Sequence, residues 1–134
     1  MADGRLYTLA GALALLPQVI PVLEEIRSTF VELRALNAAI SSQQRGATGD
    51  GALLADPWSG EGDENRVQKL SEQLRRAVRR LDEWGIELKD PERGLIDFRH
   101  RRDGEVVYLC YMLGEAGIGF WHTTSAGFAG RAPL

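Results

Sequence analysis

The side chains best suited to chemistry lie in the C-terminal part of the chain: Asp97, Cys110, Glu115, His122 and Arg131. Carboxylates, a thiol and an imidazole are the groups that bind zinc and other transition metals. A cysteine beside a histidine and an acid can also form a nucleophilic system. The spacing of these residues matches no established metal signature. We therefore treat the five side chains, called here the polar cluster, as a candidate ligand-binding or structural cluster.

Asp97 and Cys110 allow three interpretations. In the structural one, which we favour, the Asp97 carboxylate accepts hydrogen bonds from backbone N–H groups or from Arg99 or Arg131, and the cysteine is a small core residue. Arg131 can clamp either Asp97 or Glu115 with two hydrogen bonds and so lock the tail onto the sheet, which we favour over binding of an anion. In the second, His122 and Glu115 complete a small-ligand or metal site. In the third, Cys110 is a nucleophile, but a neighbouring carboxylate raises the pKa of a thiol, whereas a reactive cysteine needs positive neighbours.

The position of Asp97 and Cys110 follows from a predicted β-hairpin. Asp103-Gly104 is a strong signal for a two-residue turn, between strands expected over residues 94–101 and 105–113. Counting back from the turn places Asp97 opposite Cys110. Side chains alternate between the faces of a sheet, so the other face carries Ile96, Phe98, Val107, Leu109 and Tyr111. Because both faces are substantially apolar, we expect helices to cover one and a second subunit to cover the other.

The second turn of the sheet decides whether His122 shares a face with Cys110. A tight pairing of Leu113 with Ile118 puts Trp121 opposite Cys110, whereas a one-residue bulge puts His122 there. A slip of one residue reverses every side chain. The sequence leaves both registers open.

Two heptad runs precede the predicted strands. In each run, successive members lie alternately three and four residues apart in the sequence. The first comprises Leu16, Val19, Leu23, Ile26, Phe30, Leu33, Asn37 and Ile40, and the second Val67, Leu70, Leu74, Ala77, Leu81 and Trp84. Such spacing places each set on one seam, as in a coiled coil. The runs predict an antiparallel helical hairpin, with a break or kink at Pro17 and Pro21.

The fold class expected is α+β. A long N-terminal antiparallel helical hairpin, coiled-coil-like, precedes a small antiparallel β-meander of three to four strands. Within a single domain spanning residues 1–134, helix one covers 8–45, a flexible linker 46–63, and helix two 64–85. The small sheet and the C-terminal tail occupy residues 86–134.

Composition excludes several classes of protein. The net charge of −3 argues against a generally basic nucleic-acid binder, and acidic residues interleave with the exposed basic strip of Arg75, Arg76, Arg79 and Arg80. A single cysteine excludes a disulfide framework within one chain. Uninterrupted apolar runs are short, and residues 1–4 lack the basic start of a secretory signal. We expect a cytoplasmic protein that binds neither membrane nor nucleic acid.

Several short motifs stand in a recognisable order: Tyr7-Thr8-Leu9, Leu15-Leu16-Pro17, Lys89-Asp90, Gly94-Leu95-Ile96-Asp97-Phe98, Leu109-Cys110-Tyr111-Met112-Leu113-Gly114-Glu115, Trp121-His122 and Gly127-Phe128-Ala129-Gly130-Arg131. In these the chain resembles the DUF2203 family of prokaryotic proteins of unknown function. The resemblance implies a bacterial cytosolic setting and no established activity. The family pattern has an acidic residue soon after Trp-His, where this chain has Thr123-Thr124. We therefore expect no metal and no cofactor.

The sequence favours a non-enzymatic interaction or assembly module that self-associates as a homodimer. The heptad runs, the two-sided sheet and the absence of a complete catalytic constellation support this interpretation. The alternative is a small-ligand or metal-binding protein, or an enzyme, with its site at the polar cluster. Nucleic-acid binding through the basic strip is a weaker alternative.

Overall fold

The computed structural model describes residues 5–46 and 57–134. The elements in chain order are α1 (Leu9–Gly46), α2 (Pro57–Glu83), β1 (Ile86–Asp90), β2 (Leu95–Arg102), β3 (Glu105–Met112), β4 (Phe120–Thr123), a short 3₁₀ turn (Phe128–Gly130) and β5 (Ala132–Pro133). The strands form one antiparallel sheet in the order β1-β2-β3-β4-β5. The predicted α+β class is confirmed, and the described part of the chain has five strands instead of three to four.

Helix α1 begins at a side-chain cap and runs through both of its prolines. The Oγ1 of Thr8 accepts a hydrogen bond from the backbone N–H of Gly11 at 3.0 Å, which satisfies one of the free donors of the first turn. Pro17 and Pro21 lie inside the helix, so the expected break is absent. Each proline removes one donor, but Leu13 and Pro17, whose carbonyls lose their partners, are exposed. Water can therefore satisfy both carbonyls.

Helix α2 begins at Pro57, earlier than the predicted span of 64–85. Proline suits the first position of a helix, because its fixed φ is already helical and its missing N–H has no partner there. Most of the linker expected over 46–63 falls on residues 47–56, which lie outside the described residues. Gly85 follows the helix with a φ of 73°, the left-handed conformation that ends many helices.

The two helices pack against each other as the predicted hairpin, and their seam continues into the sheet. Leu23, Ile26 and Leu81 are fully buried between them. Phe30, farther along α1, is only half-buried, with the Arg34 guanidinium 5.7 Å from its ring centroid. On the inner face of the sheet the same core includes Ile86, Ile96, Phe98, Leu109 and Tyr111. The helices thus cover one face of the sheet.

Helix α1 is rich in apolar residues. By length and composition alone, the segment Leu9–Ser42 is long and apolar enough to cross a membrane. Core helices of soluble proteins share this length and composition, so the segment is weak evidence for a membrane span. Leu13 and Val31 are each 41% exposed. The helix therefore presents apolar surface that the described residues leave uncovered.

The first hairpin has the predicted register, with Asp97 paired with Cys110 and Arg102 with Glu105. Asp103 and Gly104 both have positive φ, 51° and 83°. Positive φ at both central residues is the geometry of a type I′ turn, whose twist matches that of the strands.

Tyr7 ties the segment before α1 to both other parts of the fold. Its N–H donates to the carbonyl of Arg99 on β2 at 2.6 Å, and its hydroxyl donates to the carbonyl of Trp84 at 2.5 Å. The Nδ1 of His100 lies 2.7 Å from the Tyr7 carbonyl. These bonds connect the start of α1 with the end of α2 and with the second strand.

Candidate functional site

The register between β3 and β4 places His122 on the same face as Asp97 and Cys110. His122 pairs with Tyr108, and Phe120 pairs with Cys110. Neither register considered from the sequence is correct, because residues 113–119 form a longer connection than a tight turn and β4 begins only at Phe120. Cys110 would pair with Trp121 in the tight register and with His122 in the bulged one. In the structure it pairs with Phe120, so β4 is displaced by one residue from the tight register, in the direction opposite to the displacement by a bulge.

Asp97, Cys110 and His122 meet on the outer face of the sheet. Their exposed fractions are 1%, 0% and 3%, respectively. One carboxylate oxygen of Asp97, the Sγ of Cys110 and one ring nitrogen of His122 all lie within 4.8 Å of one another. The Nε2 of His122 lies 3.0 Å from Asp97 Oδ1. The structure therefore brings together three of the five residues of the polar cluster in one buried group, called here the triad.

Two acceptors orient the His122 ring. Its Nδ1 lies 2.8 Å from the carbonyl oxygen of Thr123, and a carbonyl only accepts hydrogen bonds, so Nδ1 carries a hydrogen. In a neutral ring, Nε2 then presents its lone pair to the Asp97 carboxylate. A hydrogen bond at 3.0 Å needs one hydrogen between the two atoms, carried either by Nε2 or by a protonated Asp97.

The environment of the triad favours uncharged acid and thiol groups. Burial raises the pKa of Asp97, although the hydrogen bond and the charge of His122 oppose the rise. Burial and the Asp97 charge raise the pKa of Cys110 to about 11, against the opposing effect of Arg131. Cys110 is therefore a thiol near neutral pH, which disfavours the nucleophile interpretation.

Glu115 and Arg131 form a second pair beside the triad. The Arg131 Nη1 and Nη2 lie 3.2 Å and 3.1 Å from the two carboxylate oxygens of Glu115, and the Met112 N–H donates to Glu115 Oε1 at 2.8 Å. Of the two carboxylates that the sequence offered to Arg131, the bidentate partner is Glu115, whereas Asp97 pairs with His122.

Arg131 also joins the two pairs and anchors the tail formed by residues 125–134. Its guanidinium lies 4.0 Å from the Phe120 ring centroid and 4.4 Å from that of Phe128. Its Nη1 lies 3.8 Å from Cys110 Sγ. All five residues of the polar cluster are thus neighbours. The tail of the same chain lies against this part of the outer face.

A cavity of about 340 Å³ opens between the tail and the sheet. Its lining includes Lys89, Arg93, Asp97, Tyr108, His122 and Phe128. Thr124, one of the two threonines at the place of the expected acid, lines it as well. Two members of the triad therefore face a space large enough for a small ligand.

Two cations and two aromatic rings of this cavity were not identified from the sequence. Lys89 Nζ lies 4.7 Å from the Tyr108 ring centroid and 3.1 Å from Glu87 Oε1. Burial lowers the pKa of Lys89, but the hydrogen bond and charge of Glu87 outweigh it and raise the pKa overall. The Arg93 guanidinium lies 5.9 Å from the Phe128 ring centroid. Because side chains alternate along a strand, the hairpin register that follows from the Asp103-Gly104 turn puts Tyr108 on the same face as Cys110, which was the available signal.

The basic strip of α2 lies on an exposed surface. Arg75, Arg76, Arg79 and Arg80 are all exposed. The first three border a shallow depression with Glu72, and the Arg80 guanidinium lies 5.1 Å from the Trp84 ring centroid. This arrangement is typical of a solvated helix surface that mixes charges of both signs.

Comparison with known proteins places the chain in a family. A family model described as "Uncharacterized conserved protein (DUF2203)" matches residues 5–134, nearly the whole chain. No curated protein and no solved structure matches it. The motifs that carried the resemblance supply both pairs of the polar cluster and the cavity residues Lys89 and Phe128. The chain belongs to the DUF2203 family.

Proposed function

We propose that this protein binds a small organic anion in the cavity beneath its C-terminal tail. The observation that carries the proposal is the position of the buried Asp97–His122 pair in the wall of a cavity that also contains Lys89 and Arg93. A concave space with a few convergent polar groups is the usual form of a ligand site. No enzymatic step is part of the proposal.

The lining indicates the class of ligand. Lys89 and Arg93 offer positive charge to a carboxylate or phosphate. Tyr108 and Phe128 offer aromatic surface to an apolar portion. Both cations also have acidic neighbours, Glu87 for Lys89 and Asp90 for Arg93, so a bound anion would compete with or bridge these ion pairs. A small aromatic carboxylate or phosphate meets all of these conditions.

Thermal denaturation with benzoate, phenyl phosphate and the neutral benzamide tests this function. A bound anion stabilises the folded state by about 2.7 kcal/mol at a concentration 100 times its Kd. We expect at least one anion, and not benzamide, to raise the Tm, and Arg93→Gln to reduce the shift. Arg79→Gln, which changes an exposed arginine of α2, is the matched control and should leave the shift intact. Equal shifts in the two variants, or none with any anion, would overturn the proposal.

Self-association as a homodimer, in an interaction or assembly role, is the second candidate. It is supported by the uncovered apolar surface of α1, where Leu13 and Val31 are each 41% exposed. Light scattering should give the mass of a dimer at roughly tens of micromolar, and Leu13→Glu should shift the equilibrium toward monomer, because association depends on protein concentration. A wild-type monomer throughout that range would contradict the homodimer.

We also propose the cellular setting that the family resemblance suggested, a bacterial cytosol. The support is Cys110, a buried free thiol, which suits a compartment that keeps thiols reduced. Binding to nucleic acid or membrane is not part of the proposal. A fluorescence titration with duplex DNA at two salt concentrations checks for nucleic-acid binding, since binding through the basic strip would weaken steeply as the salt concentration rises.

A further inference from the structure

We propose that Asp97, Cys110 and His122 bind one transition-metal ion of the zinc class. Their donor atoms lie within 4.8 Å of one another, and all three residues are buried. The inference replaces the expectation of no metal, which rested on the missing acid and on an undecided register for His122. It deepens the proposed function, since the metal would lie in the wall of the same cavity, but it does not depend on the organic anion.

The orientation of His122 suits a metal ligand. Its Nδ1 donates to the Thr123 carbonyl at 2.8 Å, which leaves Nε2 as the nitrogen with the available lone pair. Metal-binding histidines commonly donate their second ring N–H to a carbonyl or carboxylate in this way. Nε2 points at an acceptor, Asp97 Oδ1, 3.0 Å away. A cation between them would satisfy both atoms.

The spacing requires only small movements of the ligand atoms. Zinc binds nitrogen at about 2.0–2.1 Å and sulfur at about 2.3 Å, so two ligand atoms of a tetrahedral site lie roughly 3.3–3.8 Å apart. Asp97 Oδ1 and His122 Nε2 lie 3.0 Å apart, so these two atoms must separate by roughly 0.3 Å. The widest separation, at most 4.8 Å, must shorten by about 1 Å. Rotation of side chains on neighbouring strands can supply such a movement.

Charge and proton balance also favour a divalent ion. Binding would release the Cys110 thiol proton and the proton shared by Asp97 and His122 to solvent. The dication with one thiolate and one carboxylate then has no net charge, which limits the desolvation penalty of a buried site. The Arg131 guanidinium, 3.8 Å from Cys110 Sγ, supports the thiolate, while its own charge is paired with Glu115.

The fourth coordination position would face the cavity. Asp97 and His122 line that space, which has a volume of about 340 Å³. A site with three protein ligands and one open position exchanges water or ligand there, whereas structural zinc sites use four protein ligands. A carboxylate or phosphate ligand in the cavity could therefore bind the metal directly.

Cobalt(II) and zinc(II) titrations of protein purified without an affinity metal test the inference. We expect one ion per chain by elemental analysis after gel filtration, and a thiolate-to-cobalt charge-transfer band in the near ultraviolet. Cys110→Ser should abolish that band. Because loss of an outer-shell partner costs roughly 10–100-fold in metal affinity, His122→Gln should lower zinc affinity about 100-fold or more. His100→Gln, which changes the other histidine of the chain, is the matched control and should bind normally.

Three results would overturn the metal site: no cobalt–thiolate band in the wild type, no ion retained, or equal affinity in His122→Gln and His100→Gln. Circular dichroism of each variant reports whether it folds. If His122→Gln does not fold, proton release on zinc addition to the wild type decides, with about two protons per ion expected from the thiol and the pair. Titration with an anion in the presence of a chelator separates the metal site from the proposed function. If the anion binds the metal-free protein, the proposed function holds whether or not a metal binds.

Discussion

His122 and Asp97 make their 3.0 Å contact across a strand that lies between them. Asp97 belongs to β2 and His122 to β4, and β3 separates the two in the sheet. Cys110 and Tyr108, the β3 residues paired with them, lie on the same face. The contact therefore links three strands at their centre, in a region where the described side chains are almost entirely buried.

Asp97→Asn should change how the stability of metal-free protein depends on pH. Burial raises the pKa of Asp97, so the folded state holds this proton more tightly than the unfolded state. The resulting stability is complete below the unfolded pKa of about 3.9 and is lost as the pH rises through the raised folded pKa. Urea denaturation with a chelator at several pH values should show the wild type losing stability relative to the variant with increasing pH. A pH-independent difference would contradict this.

Glu87→Gln is the contrasting variant for the same experiment. Burial raises the pKa of Glu87, but hydrogen bonds from Tyr108 and Lys89 and the charges of Lys89 and Arg99 hold it below its ordinary value. Its contribution to stability is therefore present above the unfolded pKa and is lost as the pH falls. The two variants should give differences of opposite slope, which separates the triad from general acid effects.

Arg131→Ala should loosen the tail. The bidentate bond to Glu115 is mostly buried, with 17% and 18% of the two side chains exposed, and hydrogen bonds to charged groups contribute about 1.5–3 kcal/mol. We expect a loss of that size in the free energy of unfolding. Arg131→Lys retains the charge without the planar fork and should recover only part of it. Full stability combined with lost anion binding would mean that Arg131 serves the ligand and not the fold.

The backbone and the inner face of the sheet were predictable because strong local signals determine them. Asp103-Gly104 permits a two-residue turn, and from that turn each pair down to Asp97 and Cys110 follows by counting. Thr8, which caps the start of α1, and Gly85, which follows α2 with a positive φ, are likewise residue types that favour helix ends. The prolines of α1 do not break the helix. The cost of a proline inside a helix depends on whether the freed carbonyls reach water, which is a tertiary property.

The site was less predictable, since it depends on irregular segments. The length of the connection over residues 113–119 shifted β4 by one residue from the tight register and brought His122 to the triad. The tail covers the outer face through Phe128 and the two-residue strand Ala132–Pro133. A strand this short leaves no periodic pattern to detect, so the cavity between tail and sheet has no local signature.

Gly94→Ala should be strongly destabilising. Gly94 has a φ of 64°, and a Cβ there would lie 2.5 Å from Leu113 Cγ and 3.0 Å from Leu113 Cβ. Left-handed conformation costs an ordinary residue about 1–3 kcal/mol, and overpacking a similar amount. We expect a loss of about 2–4 kcal/mol by urea denaturation. Gly104→Ala, with a φ of 83° and no atom within 4 Å of the new Cβ, lacks the clash and should lose clearly less.

Side-chain truncations along α1 should show where the two helices pack most closely. Leu23 is fully buried, so Leu23→Ala should cost about 2–5 kcal/mol. Phe30 is half-buried against Arg34, so Phe30→Ala should cost less than the roughly 3–5 kcal/mol typical of a buried phenylalanine.

Val31→Ala is the matched control, because Val31 lies beside Phe30 but is 41% exposed. In a monomer, Val31→Ala should change the free energy of unfolding by no more than about 0.5 kcal/mol. Chemical denaturation at low and high protein concentration measures all three variants and adds a second result. If α1 forms the dimer surface, the cost of Val31→Ala rises with concentration, because association stabilises the folded state only when the surface is intact. A cost for Phe30→Ala equal to that for a fully buried phenylalanine would mean that a partner covers the outer half of the ring as well.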